Sequence, residues 1–118
     1  MNHEKTMTTP TAVRAPVGAA VFEIDWADGV TGAIPNELLR AYCPCAGCQG
    51  HTGTIRYLAG GNSVIEGIEE VGAYALGITW GDGHASGIYT FRYLRRLGEL
   101  AADPSFARAH PEIPRAQT

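Results

Sequence analysis

No stretch of this sequence is apolar over the roughly 18 residues that a membrane-crossing helix needs. Its opening, MNHEKTMTTPTAVRAPVGAA, contains no apolar run of the kind a secretory signal carries and reads as a polar leader. Basic residues are outnumbered, nine against twelve acidic, for a formal charge of −3. A domain that lives on phosphate contacts carries the opposite balance, so the expected partner is neither nucleic acid nor a membrane. Cysteine is scarcer still. There are three, an odd number inside six residues, and a disulfide framework would use an even count spread along the chain. Together these absences predict a cytoplasmic protein whose thiols stay reduced.

What remains suffices for one domain. The chain has 118 residues, and 45% hydrophobic against 18% charged residues can build a core. Residues 1–18 mix Thr, Pro and charge without sustained periodicity and predict a flexible N-terminal tail. After Asp103-Pro104 the chain is rich in Pro, Ala and Arg, so 105–118 is expected to be a second flexible tail. The folded part is then 19–104. A domain that small buries only about 60–65% of its unfolded surface and gains from a staple such as a metal.

Inside that window Phe22, Ile24 and Trp26 alternate with Glu23 and Asp25, the period of a half-buried strand. Asp28-Gly29 is a turn signal, and Val30 to Ile34 return as the hairpin partner. Pro35 opens a short helix through Arg40, which Pro44 stops. Residues 43–53 predict an irregular loop, with a short strand at Ile55 to Leu58. Val64 to Val71 and Ala73 to Trp80 read as strands. Asp82-Gly83 turns the chain into a further strand, Ser86 to Tyr89. From Thr90 the period becomes helical, with Leu94, Leu97 and Ala101 on one side and Asp103-Pro104 as the stop.

This order repeats. Residues 24–29 read Ile-Asp-Trp-Ala-Asp-Gly and residues 78–83 read Ile-Thr-Trp-Gly-Asp-Gly. With one extra residue the match continues, Gly32 with Gly87 and Leu39-Arg40 with Leu94-Arg95. The sequence therefore predicts an α+β fold: a small domain of two ββα-like units with antiparallel hairpins and a Cys3His metal site. Trp26 and Trp80 are expected in the core. Arg92, Arg95 and Arg96 are expected on a solvated helix face.

The chemistry lies in Cys43-Pro44-Cys45-Ala46-Gly47-Cys48. Thiolates are soft ligands that bind zinc tetrahedrally, and the small Ala46 and Gly47 let the backbone wrap closely. Three thiolates leave one position of a tetrahedron. His3 and His110 fall in the expected tails. His51, three residues after Cys48, offers a purely local site. His84 follows the Asp82-Gly83 turn, where the first copy of the repeat has Val30. A ligand-capable residue in one copy against an apolar one in the other favours His84; Asp28 and Asp82 read most simply as turn residues, with a hydrogen bond from Asp82 to His84 as the alternative.

Several segments taken together resemble one known family. They are Trp26-x-Asp28-Gly29, Leu39-Arg40-x-x-Cys43-Pro44-Cys45-Ala46-x-Cys48, Tyr74-Ala75-Leu76-x-Ile78-x-Trp80-x-Asp82-Gly83-His84-x-x-Gly87-Ile88-Tyr89 and Leu94-Arg95. Their arrangement is similar to the gamma-butyrobetaine hydroxylase-like N-terminal domain, across about residues 20–100. In that family the domain precedes the 2-oxoglutarate dioxygenase domain of two hydroxylases, is fused to P-loop iron–sulfur cluster carriers, or stands alone in bacteria. The resemblance implies zinc on Cys43, Cys45, Cys48 and His84, with iron or a [2Fe–2S] cluster as the alternative cofactor. It also implies a protein partner, an iron–sulfur carrier or a dioxygenase-type protein.

The hydroxylase activity itself does not carry over. A 2-oxoglutarate dioxygenase needs a 2-His-1-carboxylate triad, and the sequence has no H-x-D. Its one H-x-E, His110-Pro111-Glu112, has no histidine after it. Pro44-Cys45-x-x-Cys48 is similar to one half of a zinc deaminase site, but the upstream H-x-E half is missing. The expectation is a non-enzymatic binding or accessory module.

Overall fold

The computed structural model describes residues 3–50, 53–115 and 118. Two three-stranded antiparallel sheets, each followed by a helix, form the α+β core. The first unit holds β1 (Pro10–Arg14), β2 (Val21–Trp26), β3 (Thr31–Pro35) and α2 (Asn36–Ala41), after a short α1 (His3–Met7). A loop with α3 (Ala46–Gln49) and β4 (Thr54–Ile55) leads into the second unit. That unit holds β5 (Ile65–Val71), β6 (Ala75–Trp80), β7 (Gly87–Thr90) and α4 (Phe91–Ala101). The chain ends with α5 (Pro104–Ala109) and β8 (Ile113–Pro114). Among the described residues no helix is long and apolar enough to cross a membrane.

The repeat is real and longer than the sequence suggested. Each unit is βββα, because β1 pairs with β2 as β5 pairs with β6. Residues 10–14, expected within a flexible tail, are strand. They lack an apolar face and are held by the ladder and by Arg14, which pairs with Glu23 at 3.2 Å and Asp25 at 2.6 Å. The two Asp-Gly turns match bond for bond. Trp26 N–H donates to the Val30 carbonyl at 2.9 Å, and Trp80 N–H to that of His84 at 2.9 Å. Gly29 and Gly83 sit at φ 88° and 87°, a backbone that side chains rarely adopt.

The second expected tail is also structured. Asp103 caps α5, its carboxylate accepting the Ser105 N–H at 2.9 Å, with Pro104 at the first helical position. Phe106 is buried and stacks on Tyr42, 5.4 Å between ring centres. Ile113 is buried beside Ile55, where β8 pairs with β4.

The units dock by exchanging contacts. Helix α4 of the second unit packs across β3 of the first, where Gly98 meets Gly32. In return, Gly87 of β7 lies against Cys43, just past the end of α2. The core between them holds Phe22, Ile24, Trp26, Ile34, Leu39 and Tyr42 from one side and Ile78, Trp80, Tyr89, Tyr93, Leu94 and Leu97 from the other. Two buried hydroxyls cross the boundary: Tyr89 donates to the Leu39 carbonyl and Tyr93 to that of Tyr42, both at 2.7 Å. The metal loop therefore emerges at the seam, in reach of the second hairpin.

Candidate metal centre

Cys43 leaves the end of α2 with its N–H donated to the Arg40 carbonyl at 3.1 Å. Pro44 then forbids a further helical turn. Cys45 is extended and acts as the N-cap of α3, receiving the Cys48 N–H at 3.1 Å and the Gln49 N–H at 3.0 Å on its carbonyl. One turn of helix thus brings Cys48 back beside Cys45. Where an irregular loop was expected at 43–53, this turn is what aims the second and third thiols. Gln49 fixes the loop from behind. It is buried, donates to the carbonyls of Cys43 and Arg56 at 3.0 and 3.1 Å, and accepts the Arg56 N–H at 2.8 Å.

His84 arrives from the β6–β7 hairpin. Its N–H donates to Asp82 Oδ1 at 3.1 Å, the hydrogen bond that the sequence offered as an alternative, made by the backbone and not by the ring. One residue, Thr31, separates Val30 from Gly32, whereas two, Ala85 and Ser86, separate His84 from Gly87. The one-residue insertion in the repeat therefore falls beside His84.

The four donors converge. His84 Nε2 lies 3.5 Å from Cys43 Sγ, 3.5 Å from Cys45 Sγ and 3.6 Å from Cys48 Sγ. All four donor atoms fall within 4.8 Å of one another. Zinc bonds near 2.3 Å to sulfur and near 2.0 Å to nitrogen give a tetrahedral S···N edge of about 3.5 Å. The three distances from His84 Nε2 therefore match those that one tetrahedral ion requires, and the group could hold a metal. His51, the local alternative, lies outside the described residues.

The thiols are ill suited to standing alone. Burial pushes the Cys43 thiol up to about 12. Burial also raises Cys48, aided by its hydrogen bond with Cys45. Burial works against ionisation of Cys45 too, but the Cys48 N–H and the neighbouring thiols outweigh it and lower that thiol. The shifts of the three thiols thus oppose one another. A divalent cation removes this conflict by supplying the charge that three thiolates lack.

Sequence reasoning did not single out Arg40 as part of the site. Its guanidinium donates to both carboxylate oxygens of Asp82, each at 3.1 Å. That pairing holds the Asp82 carboxyl down at about 2. Arg115, in the expected C-terminal tail, reaches the Pro44 carbonyl at 3.4 Å. The clue to Arg40 was its match to Arg95, which donates to both oxygens of Asp28 at 3.0 Å.

Comparison with known proteins agrees with the fold. Residues 13–95 match the family described as Gamma-butyrobetaine hydroxylase-like, N-terminal. The chain belongs to this family. A crystal structure from Acidithiobacillus ferrooxidans, of a DUF971-family protein with unknown function, is 36% identical. The match covers 79% of this chain and 96% of that one, with a TM-score of 0.64. Two proteins solved in solution are also similar. One is 27% identical over 82% of this chain and 74% of its own, TM-score 0.60. The other is 30% identical over 85% of each, TM-score 0.56. No curated protein gives a significant match. The gamma-butyrobetaine hydroxylase-like N-terminal domain is thus the frame in which the Cys43, Cys45, Cys48 and His84 quartet sits.

Proposed function

We propose that this domain binds one zinc ion through Cys43, Cys45, Cys48 and His84 and serves another protein as a non-enzymatic binding or accessory module. The observation that carries the reading is the near-equal spacing of His84 Nε2 from the three sulfurs, 3.5, 3.5 and 3.6 Å. A [2Fe–2S] cluster divides four protein ligands between two irons, which spreads the donors. An imidazole nitrogen this close to all three sulfurs favours a single ion. With three thiolates and one imidazole in place, a tetrahedral zinc has no position left for water, the mark of a structural site. The family's links to iron–sulfur carriers and dioxygenases make a protein of either kind the natural partner. An iron-loaded site handling iron or clusters for such a partner is the second reading, favoured by the half-buried Cys45 and Cys48.

The zinc would join the loop after α2 to the second hairpin, 36 residues beyond Cys48. A site that exists only in the folded chain turns binding free energy into folding free energy. Structural zinc in small peptides contributes about 10–16 kcal/mol near neutral pH, comparable to a whole domain's stability of about 5–15 kcal/mol. The test is thermal unfolding with and without a strong chelator, followed by circular dichroism and a two-dimensional amide spectrum. The expected result is a lower midpoint and partial unfolding. An unchanged midpoint with metal removal confirmed would contradict a structural zinc.

A further inference from the structure

The gap between the thiol loop and His84 is spanned by protein as well as by any ion. Arg40 lies one turn before Cys43, and its carbonyl accepts the Cys43 N–H at 3.1 Å. Its guanidinium crosses to the second unit and grips Asp82 through two nitrogens. The same carboxylate accepts the His84 N–H. Arg40 is further fixed from the loop before β5 and from β6. It donates to the Asn62 carbonyl at 3.2 Å and its guanidinium carbon lies 5.8 Å from the centre of the Trp80 ring. Its side chain is only 13% exposed. A continuous route of hydrogen bonds therefore runs Cys43, Arg40, Asp82, His84.

The repeat supplies an internal comparison. Arg95 grips Asp28, and Asp28 accepts the Val30 N–H at 3.2 Å. The exchange is reciprocal: each helix arginine holds the turn of the other unit. Both clasps run from helix arginine to turn aspartate to the residue after the turn glycine, through two nitrogens of Arg40 and one of Arg95, but only one ends on a ligand-capable residue. Val30 takes the place of His84 in the other.

We propose that Arg40 and Asp82 act as positioning residues that hold His84 at ligand distance from the three thiols, whereas Arg95 and Asp28 only dock the two units. The inference rests on the quartet being a metal site. Outer groups that orient a metal ligand are worth about 10–100-fold in metal affinity. Asp82→Asn keeps an oxygen for the His84 N–H and weakens the grip of Arg40. Gly61→Ala acts from the other side, because its β-carbon would stand 2.6 Å from Arg40 Nε and 3.0 Å from its Cγ. The three atoms nearest that β-carbon all belong to Arg40.

The experiment uses cobalt(II) as the probe on the full chain, below every unfolding midpoint, with folding checked by circular dichroism. Affinity is read by chelator competition and geometry by the tetrahedral d–d bands and the thiolate-to-cobalt charge-transfer band. The expected result is a 10–100-fold loss of affinity and altered d–d bands for Asp82→Asn and Gly61→Ala, with neither change for Asp28→Asn. If Asp82→Asn does not fold, Gly61→Ala decides. Wild-type affinity in the Arg40–Asp82 variants, or an equal loss in Asp28→Asn, overturns the proposal while leaving the metal site standing. A wild-type chain that takes no cobalt overturns both.

Discussion

Gly87 lies so close to Cys43 that a β-carbon on it would stand 2.9 Å from the Cys43 sulfur and 3.1 Å from Tyr89 Cε1. Neither neighbour is free to retreat, since Cys43 and Tyr89 are both buried. Gly87→Ala is expected to lower metal affinity and to destabilise the fold by about 1–3 kcal/mol through overpacking. Gly32, its counterpart in the repeat, has more room: a β-carbon there would meet Ile24 Cγ2 at 3.4 Å and Gly98 Cα at 3.8 Å. Gly32→Ala should cost less and leave metal affinity unchanged. Chelator competition with thermal unfolding of both variants checks the contrast.

The ligand set predicts its own pattern of loss. Cys43→Ser, Cys45→Ser, Cys48→Ser and His84→Ala should each lower metal content, and His51→Ala should not. Elemental analysis of the purified variants reads this directly. Full retention in the His84 variant with loss in the His51 variant would move the site to the local alternative.

The C-terminal segment should matter to stability. Phe106 is 4% exposed and stacks on Tyr42, whose hydroxyl donates to the Pro111 carbonyl at 2.7 Å. Phe106→Ala is expected to cost about 3 kcal/mol, in the range for buried aromatic truncations. Denaturant unfolding measures it, and a cost near zero would show that α5 merely rests on the domain.

Acid should weaken the metal-free fold in a defined window. Arg14 and Thr31 hydrogen-bond Asp25 and hold its carboxyl at about 2, and Arg95 lowers Asp28. A carboxyl depressed in the folded state stabilises it above the unfolded pKa of about 3.9 and loses that contribution as pH falls through the folded value. Stability of the chelated protein should therefore decline from about pH 4 toward about pH 2. Asp25→Asn should make that decline shallower, as pH-dependent denaturation would show.

The quartet was legible because its parts are local or repeated. Three thiols lie within six residues, and the repeat set His84 against Val30. The exchange of Arg40 and Arg95 between units was not legible, since a repeat shows which positions correspond and not which copy each one touches. Strand β1 was hidden because an edge strand fixed by backbone pairing and Arg14 carries no apolar alternation. Helix α5 was hidden by Asp103-Pro104. That pair ends one helix and, as N-cap and first residue, starts the next.

The metal content and visible spectrum of the protein purified without added metal test the central claim most directly. The account predicts one zinc per chain and no absorption in the visible, because zinc is a filled d¹⁰ ion. Iron with acid-labile sulfide and a visible absorption band would contradict it, as would a chain that carries no metal and three free thiols.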